Sequence, residues 1–406
     1  MTNCIYVEYD KFIVILTLIS NLKAPTHNFQ KHQEIRIFAQ RNKDCMSIQT
    51  HTTLQPAIVV ASLKINNKWD GDLDITVSAE PMLKCLNGLD CTSFVKLTLE
   101  DSRLRIQPAM YTNDIFNTDD FSEIQTASLH HVIYQPTKLI TDYSSVTVDQ
   151  SNIFYCRNNL LETFKCIKAY AMSSKKQKKL QAILSSDAST LFIDLVALDI
   201  SARLRLLEHE LESDACIRLN SDQLNYLTKA LALLLNSKLG PVEMSVGNQS
   251  QLVLTCQGIC CQLSQRDDFE LIEQPIFGVA KKGWCVDSNW RLQQGLKQIV
   301  VTTRPSEDIV EIQMIDGQIH LLQLTEYASG SFHTDVIADK GATNGPAVVV
   351  NRDQLFSALA CFNSYEKLKI HGLLSREERL LIRPSSNEDE FVMLAITEPL
   401  DVDHQV

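Results

Sequence analysis

Residues Pro346 to Leu400 read PAVVVNRDQLFSALACFNSYEKLKIHGLLSREERLLIRPSSNEDEFVMLAITEPL. The stretch opens with an apolar strand, Ala347 to Val350, and then Asn351, whose short polar side chain suits a helix N-cap. A short amphipathic helix follows from Arg352 to about Phe362. Three strand-like runs complete it, at Leu368 to Leu373, Arg379 to Arg383 and Phe391 to Ile396. The order is strand, helix, strand, strand, strand.

Internal repetition is the next signal to seek, because a repeated unit decides the architecture before any motif does. One unit upstream, Gly283 to Asp287 is a strand and Asn289 to Val300 a helix. Strands follow at Ile309 to Met314, Ile319 to Leu324 and Ser331 to Ala338, with Asp316-Gly317 as a hairpin turn. Before that, Ala215 to Leu219 leads to a helix capped by Asn220 or Ser221, with Leu224, Leu227, Leu231, Leu234 and Leu235 spaced for one buried face. Its strands are Val242 to Val246, Gln251 to Cys256 and Ile259 to Leu263. A more irregular unit has Val146 to Val148, a helix from Leu160 to Met172, and strands near Leu180 to Leu184, Leu191 to Leu198 and Arg203 to Leu207.

The first third of the chain supplies two more units. Asp74 to Val77 leads to a helix from Pro81, whose ring suits the first turn, ending around Gly88. Strands follow at Phe94 to Leu99 and Arg103 to Gln107, with Ile115 to Phe116 as the candidate third. The first unit has Ile5 to Val7, a helix near Lys11 to Leu22, and strands at Glu34 to Ala39, Cys45 to Thr50 and Ala57 to Leu63. Phe12 to Ile19 is β-branched and is open to either a helix or a strand reading. Six units in pairs imply three domains, 1–138, 139–277 and 278–406, with turn-rich boundaries near Gln135-Pro136 and Pro275 to Gly278.

Composition agrees with a multidomain globular chain. Its 406 residues exceed one ordinary core, and hydrophobic and charged contents of 45% and 21% are those of a folded protein. The net charge of −11 argues against coating nucleic acid through bulk charge, while leaving room for a locally basic surface. Phe12 to Ile19 is too short to span a membrane and follows the acidic Glu8 and Asp10, unlike a signal peptide. Twelve scattered cysteines then suggest reduced, mostly buried thiols and a cytosolic protein. Cys256, Cys260 and Cys261 lie in alternating strand sequence without a second pair at zinc-ribbon spacing, as core residues do.

No catalytic constellation is present: the chain lacks G-x-S-x-G, a Walker loop, H-E-x-x-H and G-x-G-x-x-G. His130 and His131 are adjacent, so a strand would point them to opposite faces, where they cannot chelate together. Asp119-Asp120 and Asp267-Asp268 read as turn acids. Neither an enzyme, a metal site nor a cofactor is expected.

An α+β chain of six strand-helix-three-strand repeats in three domains resembles the bacterial sliding clamp, the beta subunit of DNA polymerase III. Three local stretches sharpen the likeness. Ile5-Tyr6-Val7-Glu8 before a helix is similar to the family's opening. Leu195-Val196-Ala197-Leu198-Asp199 with Arg203-Leu204 resembles the segment V-A-T-D-G-H-R-L, and Phe391 to Ile396 stands where the family has Y-V-V-M-P-M-R-L. Ile200, Ser201 and Ala202 replace the Gly-His pair with one residue added. Leu394-Ala395-Ile396 replaces M-P-M, Thr397 replaces the following arginine, and Gln354 stands for a tyrosine on the last helix. The chain is identified as a divergent member.

The resemblance implies a DNA-clamp fold that forms a ring: two chains join head to tail, the sheets make the outer wall, and helices line a hole that encircles duplex DNA. Weak phosphate contacts by Lys and Arg then permit sliding and carry no sequence information. Candidates are Lys11, Lys23, Lys84, Lys165, Lys168, Lys229, Lys238, Arg291 and Lys297, and the run Lys175, Lys176, Lys178 and Lys179, which reads otherwise as a solvated turn. The expected partners are double-stranded DNA, a second copy of the chain, a DNA polymerase, a clamp loader and other proteins with clamp-binding peptides. Those peptides would enter an apolar cleft at Leu195, Asp199, Arg203, Leu204, Leu394, Ala395 and Ile396, with Pro275 a candidate on the linker side. Without the resemblance, Leu195, Leu204, Leu394 and Ile396 read as plain core. A clamp-like scaffold that does not encircle DNA is the alternative, and an unrelated β-rich enzyme a third reading.

Overall fold

The computed structural model of the chain describes residues 4–22, 33–41, 43–50, 57–67, 71–89, 93–111, 121–123, 130–136, 153–174, 180–187, 190–197, 200–206, 215–247, 251–265, 284–286, 289–299, 309–324, 329–335, 337–338, 348–362, 367–373, 379–385 and 391–396. Copy one of the repeat is β1 (Cys4–Glu8), α1 (Tyr9–Ser20), β2 (Glu34–Ala39), β3 (Cys45–Thr50) and β4 (Ile58–Asn67). Copy two is β5 (Leu73–Ser78), α2 (Ala79–Asn87), β6 (Phe94–Glu100), β7 (Arg103–Tyr111), the short β8 (Phe121–Glu123) and β9 (His130–Pro136). Copy three is β10 (Ile153–Tyr155), α3 (Asn158–Ser173), β11 (Gln181–Asp187), β12 (Thr190–Val196) and β13 (Ile200–Leu206). Copy four is β14 (Ala215–Asn220), α4 (Ser221–Asn236), β15 (Glu243–Gly247), β16 (Gln251–Cys256) and β17 (Ile259–Ser264). Copy five is β18 (Trp284–Val286), α5 (Asn289–Gln298), β19 (Ile309–Ile315), β20 (Gln318–Leu324), β21 (Ser329–Asp335) and β22 (Ile337–Ala338). Copy six is β23 (Val348–Asn351), α6 (Arg352–Leu359), β24 (Leu368–Leu373), β25 (Arg379–Pro384) and β26 (Phe391–Ile396).

Local chemistry explains most boundaries. Asn220 caps α4 in a reciprocal capping box: its Oδ1 accepts from the Gln223 N–H at 2.9 Å, and Gln223 Oε1 accepts from the Asn220 N–H at 3.1 Å. Asn351 caps α6 by accepting from the Gln354 N–H at 3.1 Å. Asp316 and Gly317 turn the β19–β20 hairpin with φ of 47° and 79°, the left-handed pair that a two-residue hairpin turn requires. Phe12 to Ile19 is helical: Phe12, Ile15, Leu16, Leu18 and Ile19 are wholly buried, and packing outweighs the modest helix penalty of β-branched residues.

Two strands, β9 and β10, are not named in the sequence reading. Ile115 to Phe116 and Val146 to Val148 lie outside the described residues. The last strand of copy two is β9, and the strand that enters α3 is β10. Among the described side chains of β9 only Val132 is buried, between the exposed His131 and Ile133, so the strand shows little hydrophobic alternation to read.

One pairing rule organises the sheets. The first strand of each copy pairs antiparallel with the second strand of its neighbour, giving β1–β6 with β5–β2, β10–β15 with β14–β11, and β18–β24 with β23–β19. The chain divides into two compact units. In the first (Met1–Leu161 and Asn225–Ser264), β1-β6-β7-β9-β5-β2-β3-β4 is a closed circuit, sealed by β1–β4. From β4 the sheet continues through β17, β16 and β15 to β10. The second unit (Glu162–Leu224 and Gln265–Val406) holds a nine-stranded sheet, β14-β11-β12-β13-β26-β25-β24-β18-β22, and a four-stranded one, β21-β20-β19-β23. Fourth strands therefore meet fourth strands, β4 with β17 and β13 with β26. Among the described residues, β21 pairs on one side only, with β20, and the His130–Ile133 half of β9 pairs only with β7.

Within each unit the helices cover a sheet face whose inward residues are apolar. Ile35, Ile37, Ile48 and Leu63 face the core in the first unit, and Ile193, Leu195, Ile217 and Leu219 in the second. Burying each such side chain contributes roughly 1.5–3 kcal/mol. In the second unit α5 approaches β21 so closely that a Cβ on Gly295 would lie 2.3 Å from the Phe332 ring. Gly295→Ala should therefore destabilise the protein by about 1–3 kcal/mol through overpacking, despite a helix propensity gain of about 1 kcal/mol. Urea denaturation reads this out, and a neutral or stabilised variant would contradict the close approach.

Candidate nucleic-acid interface and partner cleft

The helices differ in charge from the chain that carries them. Together they hold eight Lys and Arg residues against five Asp and Glu, in a chain whose net charge is −11. Lys229 on α4 and Arg291 and Lys297 on α5 are exposed. The Lys297 ammonium sits 5.4 Å from the centre of the Phe356 ring on α6, a contact that steadies the chain without neutralising it. Lys84 on α2 pairs with Glu80 at 2.9 Å and Lys165 on α3 with Glu162 at 2.8 Å, so a carboxylate stands beside each ammonium. Lys168 is half-buried on α3. Lys11 is half-buried on α1, with Nζ near Gly258 in the β16–β17 turn. Lys238 is exposed just beyond α4. Lys23, Lys175, Lys176, Lys178 and Lys179 lie outside the described residues.

One functional-type side chain escaped the sequence reading. Arg352 gives α6 a cation, tied to Asp353 at 3.2 Å. Gln354 is buried, and its Nε2 donates to the Ser173 carbonyl at the end of α3 at 3.5 Å. An arginine in the first turn is visible in sequence, but its lateral ion pair is not.

The cleft candidates gather on neighbouring strands of the second unit. Leu195 lies on β12 and Arg203 and Leu204 on β13, and β13 pairs with β26 in the register Ser201↔Leu394 and Ile200↔Ala395. Asp199 and Pro275 lie outside the described residues. Alternation separates the side chains: Leu195 and Leu204 are buried in the core face, at 0% and 4% exposure. Arg203 stands opposite Asp194 on the other face and binds it bidentately, Nε to Oδ1 at 2.7 Å and Nη2 to Oδ2 at 2.8 Å. Its guanidinium also lies 5.8 Å from the Phe192 ring centre, and its hydrogen bonds to Asp194 raise its pKa further.

His131 is exposed, with Nε2 3.4 Å from the Glu100 carboxylate. Cys256 and Cys261 are buried, and burial pushes Cys261 up to about 12 and Cys260 up to about 11. Among the described residues no three His, Cys, Asp or Glu side chains are placed to hold a metal ion, and no helix is long and apolar enough to cross a membrane.

The Asp194–Arg203 pair should be a stabilising device whatever else it does. Asp194 is 1% exposed, whereas the Arg203 side chain is 41% exposed and can return to water. Asp194→Asn is therefore expected to cost about 1–2 kcal/mol, below the value for a fully buried pair. Arg203→Lys should also destabilise, because an ammonium cannot reproduce the bidentate fork. Chemical denaturation of both variants checks this, and unchanged midpoints would contradict it.

No protein-family model matches the chain, and no curated protein sequence does. Its structure is nevertheless similar to solved clamps over nearly its whole length. The DNA polymerase III beta subunit of Thermotoga maritima is 14% identical, with 98% of this chain and 99% of that one covered at a TM-score of 0.75. The sliding clamp of Pseudomonas aeruginosa bound to griselimycin is 11% identical, with 98% and 100% covered at 0.74. The clamp of Bacillus subtilis is 10% identical, with 98% and 99% covered at 0.74. By its element order, its strand pairing and these likenesses, the chain has the DNA-clamp fold of the bacterial DNA polymerase III beta subunits.

Proposed function

We propose that the chain is a DNA sliding clamp, a non-catalytic processivity factor that encircles duplex DNA as a head-to-tail homodimer. The clamp fold over 98% of the chain carries this reading. Its three domains are 1–138, 139–277 and 278–406, a division supported by the strand exchange that links copies one and two, three and four, and five and six. Fourth strands already pair with fourth strands at β4–β17 and β13–β26. The two left over, β9 and β21, would pair between chains and close the ring, removing two edges that otherwise template aggregation.

The basic excess on the helices supports the same reading. Exposed Lys229, Arg291 and Lys297 would meet phosphates loosely enough to slide, while the acidic remainder repels DNA from elsewhere on the protein. Strands β12, β13 and β26 would carry the docking cleft for a polymerase, a clamp loader and other clamp-binding peptides. Apolar anchors with a polar rim are the usual source of such affinity. Griselimycin, which is bound to the Pseudomonas aeruginosa clamp, is a probe for clamp-type ligand binding by this chain. The site of action is the cytoplasm, on the nucleoid.

Light scattering down to nanomolar concentration should give twice the 45.8 kDa chain mass. With a clamp loader from the same source, the protein should stay on nicked circular DNA through gel filtration and slide off after linearisation. Lys229→Glu, Arg291→Glu and Lys297→Glu together should shorten that retention and flatten its salt dependence without changing the mass. A monomer at every concentration, with no dependence on DNA topology, would overturn the ring and leave the clamp-like scaffold as the reading.

A further inference from the structure

Helices α3 and α6 meet in the second unit through two cysteines. The Cys166 Sγ, midway along α3, lies 3.7 Å from the Ala360 carbonyl at the end of α6, 194 residues away in the chain. Cys361, the next residue, has its Sγ 3.3 Å from the Ser357 carbonyl. The Ala360 contact brings the two thiols near enough to influence each other's ionisation. A second tie, from Gln354 Nε2 to the Ser173 carbonyl, holds the helices together beside them. Both cysteines are neither fully buried nor fully exposed, so a small oxidant can reach them.

We propose that Cys166 and Cys361 form a two-thiol oxidation site, which a peroxide converts into a disulfide between α3 and α6. The Cys166 thiolate attacks one peroxide oxygen. The O–O bond breaks, and its electron pair leaves with the other oxygen, which takes a proton to become water and leaves Cys166 as a sulfenic acid. The Cys361 sulfur then attacks the Cys166 sulfur and breaks the S–O bond. The departing hydroxide takes the Cys361 proton as a second water. Two thiols are oxidised by two electrons and one peroxide is reduced to two waters.

The roles of the two sulfurs follow from their surroundings. Hydrogen bonding from Cys361 draws Cys166 down to about 7, against the opposing effect of burial, so a large share is thiolate at neutral pH. The same hydrogen bond, joined by burial, pushes Cys361 well up, which keeps its proton for the second step. Glu162 and Lys165 also act on Cys166, with opposite signs, and they pair with each other at 2.8 Å. By contrast, burial pushes Cys156 and Cys261 up to about 12, where a thiol is inert. The inference stands on the α3–α6 contact and does not require the chain to encircle DNA.

The test uses the reduced full-length protein exposed to a few equivalents of hydrogen peroxide, then alkylated and mapped by mass spectrometry. A linked peptide joining Cys166 to Cys361, reversible by dithiothreitol, is expected before other cysteines react. The oxidised protein should melt several degrees above the reduced one, since a cross-link closing a long loop restricts the unfolded chain most. Both effects should vanish in Cys361→Ala, where dimedone should trap a sulfenic acid at Cys166, and in Cys166→Ala, where it should not. The alkylation rate of Cys166 should titrate near about 7 and move upward in Cys361→Ala, a readout that purely structural packing would not shift. The reduced variants' melting temperatures control for folding. A Cys166 midpoint in the ordinary thiol range, or oxidation that links other cysteines first, would overturn the proposal.

Discussion

The structure depends on the need of every strand edge for a partner. A four-stranded unit with one helix cannot satisfy its own outer N–H and C=O groups, and leaving them buried and unpaired would cost more than any single contact returns. The chain meets this need by exchange: each copy places its first strand beside the second strand of its neighbour. In the first unit the exchange closes a complete circuit of eight strands, and β4 pairs onward with β17. Among the described residues of copies one and two the one-sided strands are β8 and half of β9. Every helix can then be short, because its position comes from the sheet beneath it and not from its own propensity.

The same constraint gives the fold its modular charge. Helices that pack one face on a sheet have the opposite face free for other work, and here that face collects cations in an otherwise acidic chain. The strands need charge only for solubility and for keying local register. The Arg203–Asp194 fork is of that second kind, as is the Arg36–Asp74 pair between β2 and β5, with bonds of 2.9 and 2.7 Å. Both link neighbouring strands on the face turned away from the core, where the pair aligns two strands without introducing charge among the aliphatic side chains.

Much of the fold was legible because the repeat is spelled six times. Capping residues, hairpin turns and apolar alternation recur at the same offsets, so a weak signal in one copy is supported by the others. Asn351, the Asp316-Gly317 turn and the leucine face of α4 all act as their chemistry suggests. Where a strand lacks a buried alternate row, as β9 does, the pattern fails and the strand is hard to place. The candidate site was less legible. Arg203 and Leu204 are adjacent in sequence but face opposite sides of β13, and Cys166 and Cys361 show no relation until α3 and α6 pack.

The sequence by itself determined the order of elements, because local steric and hydrogen-bonding preferences act over a few residues and repeat with the chain. It also determined the acidity of the whole and the basicity of its helices, which are sums over composition. Only the tertiary structure decided that Phe12 to Ile19 is a helix, since that segment's intrinsic preference is divided and the core it fills is built by distant strands. Only the tertiary structure decided which strands exchange, which side chains are sealed in and which thiols come near one another. These outcomes come from contacts between residues far apart in the chain, whose free energy exists only once both partners are in place.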